Sequence, residues 1–124
     1  MVNPFLKYPP VNHDDKSMLI FCSEEMLSRY SSATYIAMDG MYDVPNLYYQ
    51  LYTLHIRIEN GAIMPVICAL LPGKSYEDYM NMFDAVERLL EGRGLSHPNP
   101  DYVSLDFEKA SIGVSRQIFP NAEY

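Results

Sequence analysis

An α/β fold on a mixed sheet is what the order of patterns in this sequence predicts. Two strand-patterned runs flank Asn60-Gly61, the strongest hairpin signal in the chain. A stretch with helical spacing follows at 75–91. A short apolar run, Tyr102–Leu105, comes next and hands over to a second helical pattern. Hairpin, helix, strand, helix is the alternation that layers helices on a sheet holding both parallel and antiparallel pairs.

From the N-terminus, residues 1–17 read as loop or tail. Pro4, Pro9 and Pro10 interrupt regular structure, and His13-Asp14-Asp15-Lys16 is polar. The folded unit is expected over 18–124, with nothing to mark a second domain. Met18–Cys22 is a short apolar run with strand character. Ser23 offers the side-chain acceptor of a helix N-cap. Glu24 and Glu25 suit the first turn, where the helix dipole favours negative charge. That helix ends near Ser31-Ser32.

Tyr35–Met38 is the first core strand, and 41–47 turns, with Pro45 and Asn46 as breakers. Over Tyr48–Glu59, alternation puts Gln50, Tyr52, Leu54, Ile56 and Ile58 on one face. Ala62–Leu71 is almost continuously apolar, which predicts a central strand covered on both faces. Pro65 inside it has no N–H to donate and predicts a bulge or a gap in the ladder.

Ser75 caps the next helix, with Asp78 three residues on. Tyr76, Tyr79, Met80, Phe83, Val86 and Leu90 recur at helical spacing, and Gly92 and Gly94 end it. Pro98 and Pro100 mark a loop into Tyr102–Leu105. Phe107, Ala110, Val114 and Ile118 mark one face of the last helix, stopped by Pro120. Ala122-Glu123-Tyr124 has the look of another strand's first residues.

Hydrophobic residues make up 48% of the chain and charged ones 20%, enough apolar material for one core. No run is apolar and long enough to cross a membrane, and the N-terminus lacks the grammar of a signal peptide. Cys22 and Cys68 both sit in apolar runs without metal-type spacing, so buried free thiols in a reducing compartment are expected. No Ser-His-Asp arrangement, phosphate-binding glycine loop or zinc pattern is visible. Sixteen Asp and Glu against nine Lys and Arg give a net charge of −7. Phosphate neutralisation by Lys and Arg supplies most affinity for DNA, so this balance disfavours a nucleic-acid-binding surface.

Two apolar runs end in an acid, at Asp39-Gly40 and at Asp106-Phe107-Glu108-Lys109-Ala110. Two carboxylates at the ends of neighbouring strands make a divalent-metal site able to activate water or a hydroxyl against a phosphodiester. The separation of 67 residues (106 − 39) holds a hairpin and a helix, which lets the two strands be neighbours. Each Asp also has a plainer role. Asp before Gly marks turns, and Asp at a strand-to-helix junction is a favoured N-cap. Glu108 fits a first-turn helix acid, Asp43 an exposed loop acid and Lys109 a solvated helix lysine. His55 faces away from Leu54 and Ile56, while His13 and His97 sit in loops and carry no signal. Packing explains the eleven Tyr residues more cheaply than base stacking.

In chain order, six segments resemble the transposase core of Mutator-like elements, the MULE domain. They are Ser23-Glu24-Glu25-Met26-Leu27, Asp39-Gly40, the stretch Tyr49-Gln50-Leu51-Tyr52-Thr53-Leu54-His55, the stretch from Pro65 to Lys74, Asp106-Phe107-Glu108-Lys109-Ala110, and Phe119-Pro120-Asn121-Ala122-Glu123. The resemblance covers about Met18 to Tyr124. It implies a ribonuclease-H-like fold and an Asp-Asp-Glu triad working with Mg²⁺ or Mn²⁺ to cut and join DNA. By position, Asp39 matches the first acid and Asp106 the second. The family's third acid and its Cys-x-x-His element lie farther along than Tyr124. The resemblance therefore implies a partial domain, truncated before the last strands and helices. Met41-Tyr42 stand where the family usually has Thr-Phe. The implied partner is DNA, contacted through a longer protein and weakly or not at all by these residues alone. The implied location is nuclear or cytoplasmic, and a homo-oligomer is compatible. A non-catalytic, transposon-derived interaction domain is the alternative, and the acidic balance suits it.

Overall fold

The computed structural model describes residues 18–41, 50–105 and 109–124, and the backbone of 5–8. Its strands are β1 (Phe5–Tyr8), β2 (Leu19–Ser23), β3 (Tyr35–Met41), β4 (Gln50–Arg57), β5 (Ile63–Leu71) and β6 (Tyr102–Ser104). Its helices are α1 (Glu24–Ser31), α2 (Tyr76–Glu91) and α3 (Lys109–Ile118). Among these residues the six strands form one sheet in the order β1-β2-β5-β4-β3-β6. Neighbours are antiparallel except β3 and β6, which are parallel. The fold is α/β on a mixed sheet, as expected.

Local chemistry sets the ends of these elements. Ser23 Oγ accepts from the Met26 N–H at 3.1 Å and opens α1. Ser75 and Asp78 form a reciprocal capping box on α2, with backbone-to-side-chain bonds of 3.1 and 3.0 Å. Gly61, at φ 90°, turns the β4–β5 hairpin, where Ile58 N–H donates to Ala62 O at 2.9 Å. Leu54 stands opposite Ile67 and His55 opposite Pro65, so Val66 is the extra residue of a bulge. Pro65 predicts that irregularity, because it cannot donate to the ladder.

All three helices lie in one layer. α1 packs on β2 and β5, and α2 on β5, α1 and α3. The strand residues that face them are buried, among them Ile20, Ile36, Tyr52, Leu54, Ile67, Leu71 and Val103. The opposite face of the sheet is half-buried, at Leu51, Thr53, His55, Cys68 and Leu70. Among the described residues helices cover only one face of β5, where cover on both faces is expected.

Other elements differ from the sequence reading. Phe5–Tyr8 is a strand paired antiparallel with β2, where a loop or tail is expected. Pro4, Pro9 and Pro10 bracket this segment rather than interrupt it. β3 continues through Met41, so Asp39 and Gly40 are strand residues. Tyr76 is exposed although it falls at apolar spacing. α3 buries Ser111, Val114 and Ser115, while Ala110 and Ile118 are only partly covered. Glu123 makes a parallel bridge to Tyr102, and Val103 N–H donates to Glu123 O at 2.8 Å. That pairing agrees with a strand-like reading of 122–124. Of the turn expected at 41–47, Met41 is the last residue of β3, and 42–47 lie outside the described residues, as does the helix position Phe107. No helix among the described residues is long and apolar enough to cross a membrane.

Candidate metal centre at the carboxyl end of the sheet

β3, β5 and β6 run in one direction and β4 in the other. One end of the sheet therefore collects Asp39-Gly40-Met41 at the end of β3, Pro72-Gly73-Lys74 after β5, Ser104 at the end of β6, and Gln50 at the start of β4. α2 also starts at this end. In open α/β sheets such carboxyl ends are where ligands bind, because loops diverge there and helix N-termini point in.

Asp39 pairs with Thr53 across to β4 and is exposed. Ile36 and Met38 turn into the helix-covered face, so alternation sends Asp39 to the opposite face. Asp39 is therefore not a turn residue, and the plainer role that its sequence context offers does not apply. Gly40 does not have a positive φ either. A Cβ built on it would stand 2.6 Å from Gln50 Oε1 and 3.4 Å from the Tyr52 ring, so this glycine serves close approach.

Asp106 lies outside the described residues, as do Phe107, Glu108 and Asp43. The expectation that the Asp39 and Asp106 carboxylates share one ion falls on that set. The strand that leads to Asp106 is described. β6 lies directly beside β3, with Tyr35 opposite Tyr102, Ile36 opposite Val103 and Ala37 opposite Ser104. Among the described residues no three His, Cys, Asp or Glu side chains converge on one point.

Behind this end of the sheet lies a buried polar network that sequence reasoning missed. Gln50 Nε2 donates to Gly73 O at 2.9 Å and to the Tyr79 hydroxyl at 3.0 Å. Tyr79 packs on Tyr52 with ring centroids 5.1 Å apart. The Tyr52 hydroxyl shares a 2.6 Å hydrogen bond with Ser111 Oγ in α3. The available signal was Gln50 itself, a polar residue in the otherwise apolar Tyr52, Leu54, Ile56 stripe. Ser111 and Ser115, four apart on α3, carry a similar signal.

His97 also exceeds what its loop position suggests. Its Nδ1 is 2.7 Å from Glu87 Oε2, its Nε2 is 2.9 Å from Ile118 O, and its ring stacks on Phe119. It ties the loop after α2 to both α2 and α3. Cys22 and Cys68 are free thiols, as expected, but only Cys22 is buried, Cys68 being half-buried. Burial pushes the Cys22 thiol up to about 11, and the Cys68 thiol is raised for the same reason.

A family model described as the MULE transposase domain matches residues 35–124. No curated protein and no solved structure matches the chain.

Proposed function

The chain belongs to the MULE transposase domain family, and from that premise we propose that Asp39 and Asp106 are two carboxylates of a metal-dependent site for DNA strand cleavage and transfer. The observation that carries the proposal is the parallel register of β3 and β6. Ala37 stands opposite Ser104, and each acid comes two residues later in the sequence (39 − 37 and 106 − 104). The proposal is that both strands lead their acids toward the same end of the sheet. The strand order β5-β4-β3-β6, an antiparallel meander followed by a parallel strand across a helical crossover, supports a ribonuclease-H-like arrangement.

Asp39 suits a hard divalent cation, being an oxygen donor on a rigid strand and open to solvent. Mg²⁺ or Mn²⁺ bound there would activate the attacking hydroxyl and stabilise the leaving oxygen. The residues of this chain supply the anionic ligands and fix them on the sheet. A third carboxylate completes the site in this proposal. A DNA substrate sets the place of action in the nucleus, or in the cytoplasm of a cell without one.

The experiment is a Mn²⁺ titration of the 124-residue chain. Binding in the roughly millimolar range is expected, weakened at least tenfold in Asp39→Asn and in Asp106→Asn. Parent-like affinity in either variant rejects the shared site. A non-catalytic interaction domain derived from a transposase is the second reading, favoured by the net charge of −7. It predicts parent-like binding in both variants.

A further inference from the structure

Gln50 is fully buried at the start of β4 and faces the helices. Its Nε2 donates to Gly73 O and to the Tyr79 hydroxyl, which uses both amide hydrogens. Its Oε1 has no hydrogen-bond partner among the described residues. Turning the amide over does not help, because the oxygen would then face the Gly73 carbonyl, itself an acceptor. The oxygen instead lies against the Cα of Gly40, 2.6 Å from where a Cβ would stand. A Cα–H contact of that kind is weak, and an underused buried acceptor is unfavourable. The amide cannot swing aside without breaking both bonds that hold it.

We propose that Gln50 is a positioning residue for Asp39. The amide joins three segments at the carboxyl end of the sheet: the Asp39-Gly40 end of β3, the turn that leaves β5 at Gly73, and α2 through Tyr79. Tyr52, two residues on and on the same face, extends this support to α3 through Ser111. Gln50 bears on the Gly40 backbone from the helix side, while Asp39, one residue earlier, projects from the opposite face. Ligand groups must be held to within about 0.5 Å to work together. A side chain locked beneath the adjacent residue supplies that restraint, and only glycine at 40 lets it come close enough. The inference rests on the reading of Asp39 as a metal ligand.

The test is calorimetric titration of Mn²⁺ into the 124-residue chain, with thermal melts and circular dichroism on every variant. Gln50→Leu is expected to weaken Mn²⁺ binding about tenfold or more, as loss of a residue that orients a ligand does. Tyr79→Phe removes one of the amide's anchors and is expected to give a smaller loss of the same sign. Phe83→Ala, a core change one turn along α2 from Tyr79 and against Phe119, is expected to lower the melting temperature while keeping parent affinity in the chain that remains folded. Gly40→Ala is expected to lower the melting temperature of the parent but not of Gln50→Ala, where the obstructing amide is gone. Should Gln50→Leu fail to fold, Tyr79→Phe and Gly40→Ala carry the test. Parent-like affinity in Gln50→Leu and Tyr79→Phe, with binding lost in Asp39→Asn, overturns the positioning role and leaves the metal reading standing. Equal weakening by Phe83→Ala overturns it too, since general softening would then account for the loss. A parent chain that binds no Mn²⁺ overturns both.

Discussion

Gly40 lies in extended backbone beneath a buried amide, and Cys22 lies under the helices at 1% exposure. Both show how surroundings set the chemistry of a single residue. Desolvation holds the Cys22 thiol protonated up to about pH 11. Burial also raises the Tyr30 hydroxyl, beside Glu87. The folded chain therefore keeps protons that the unfolded chain releases near the ordinary thiol value of about 8.5. Stability from this source is full below that value and falls as pH rises toward 11. Thermal melts between pH 8 and 10.5 are expected to show a declining midpoint, and Cys22→Ala to flatten the decline. Iodoacetamide at pH 8 should modify Cys22 about a hundredfold more slowly in the folded chain than in urea, following its smaller thiolate fraction. Equal labelling rates would show that the thiol is not enclosed as described.

At the scale of elements, α2 and α3 are held by apolar contact, by a hydrogen bond from the Tyr76 hydroxyl to Gln117 Oε1 and by a polar clasp. Phe83 is 4% exposed and meets Phe119 edge to face at 5.8 Å. Phe83→Ala should cost about 3–5 kcal/mol, a large share of the stability of a small domain. Val114 is completely buried in α3. Val114→Asp places an unpaired charge there, and the chain is expected to lose its cooperative melt. A melt of Phe83→Ala that coincides with the parent's would reject this packing of α2. The clasp is His97. Replacing it with Ala removes the contacts to Glu87 and to the Ile118 carbonyl together with the ring stack. The ring is 39% exposed, so solvent screening holds the expected loss to about 1 kcal/mol. A double-mutant cycle with Glu87→Gln measures the coupling.

For the whole molecule, charge decides what the isolated chain can do. Nine Lys and Arg against sixteen acids leave little to neutralise a DNA backbone. On the proposed reading, Asp39 and Asp106 by themselves would hold a metal pair incompletely, and such chemistry depends on position. The 124-residue chain is therefore expected neither to nick nor to join DNA in Mg²⁺ or Mn²⁺. Its DNA binding should vanish near 0.15 M salt, where exposed charges are screened beyond about 8 Å. A strand-cleavage assay beside a filter-binding titration checks both points. Metal-dependent nicking that disappears in Asp106→Asn would show that a third ligand already lies within these residues.

Local signals in the sequence determined the hairpin at Asn60-Gly61, the caps at Ser23 and Ser75, the bulge at Pro65 and the Gln50-to-Ile56 stripe. Each depends on the chemistry of a few adjacent residues: a backbone conformation, a side-chain acceptor, a missing N–H, an alternation. The family motifs added Asp39 and Asp106 as candidates, and the length between them allowed neighbouring strands. Tertiary structure decided that β6 lies parallel beside β3, that Asp39-Gly40 continues a strand instead of turning, and that the described helices pack on one face of the sheet. It also decided that Gln50, Ser111 and His97 have partners 23, 59 and 21 residues away. Such pairings depend on which surfaces meet after the chain has collapsed. A buried amide and an exposed one look alike in sequence, because what separates them is the long-range contact that removes water.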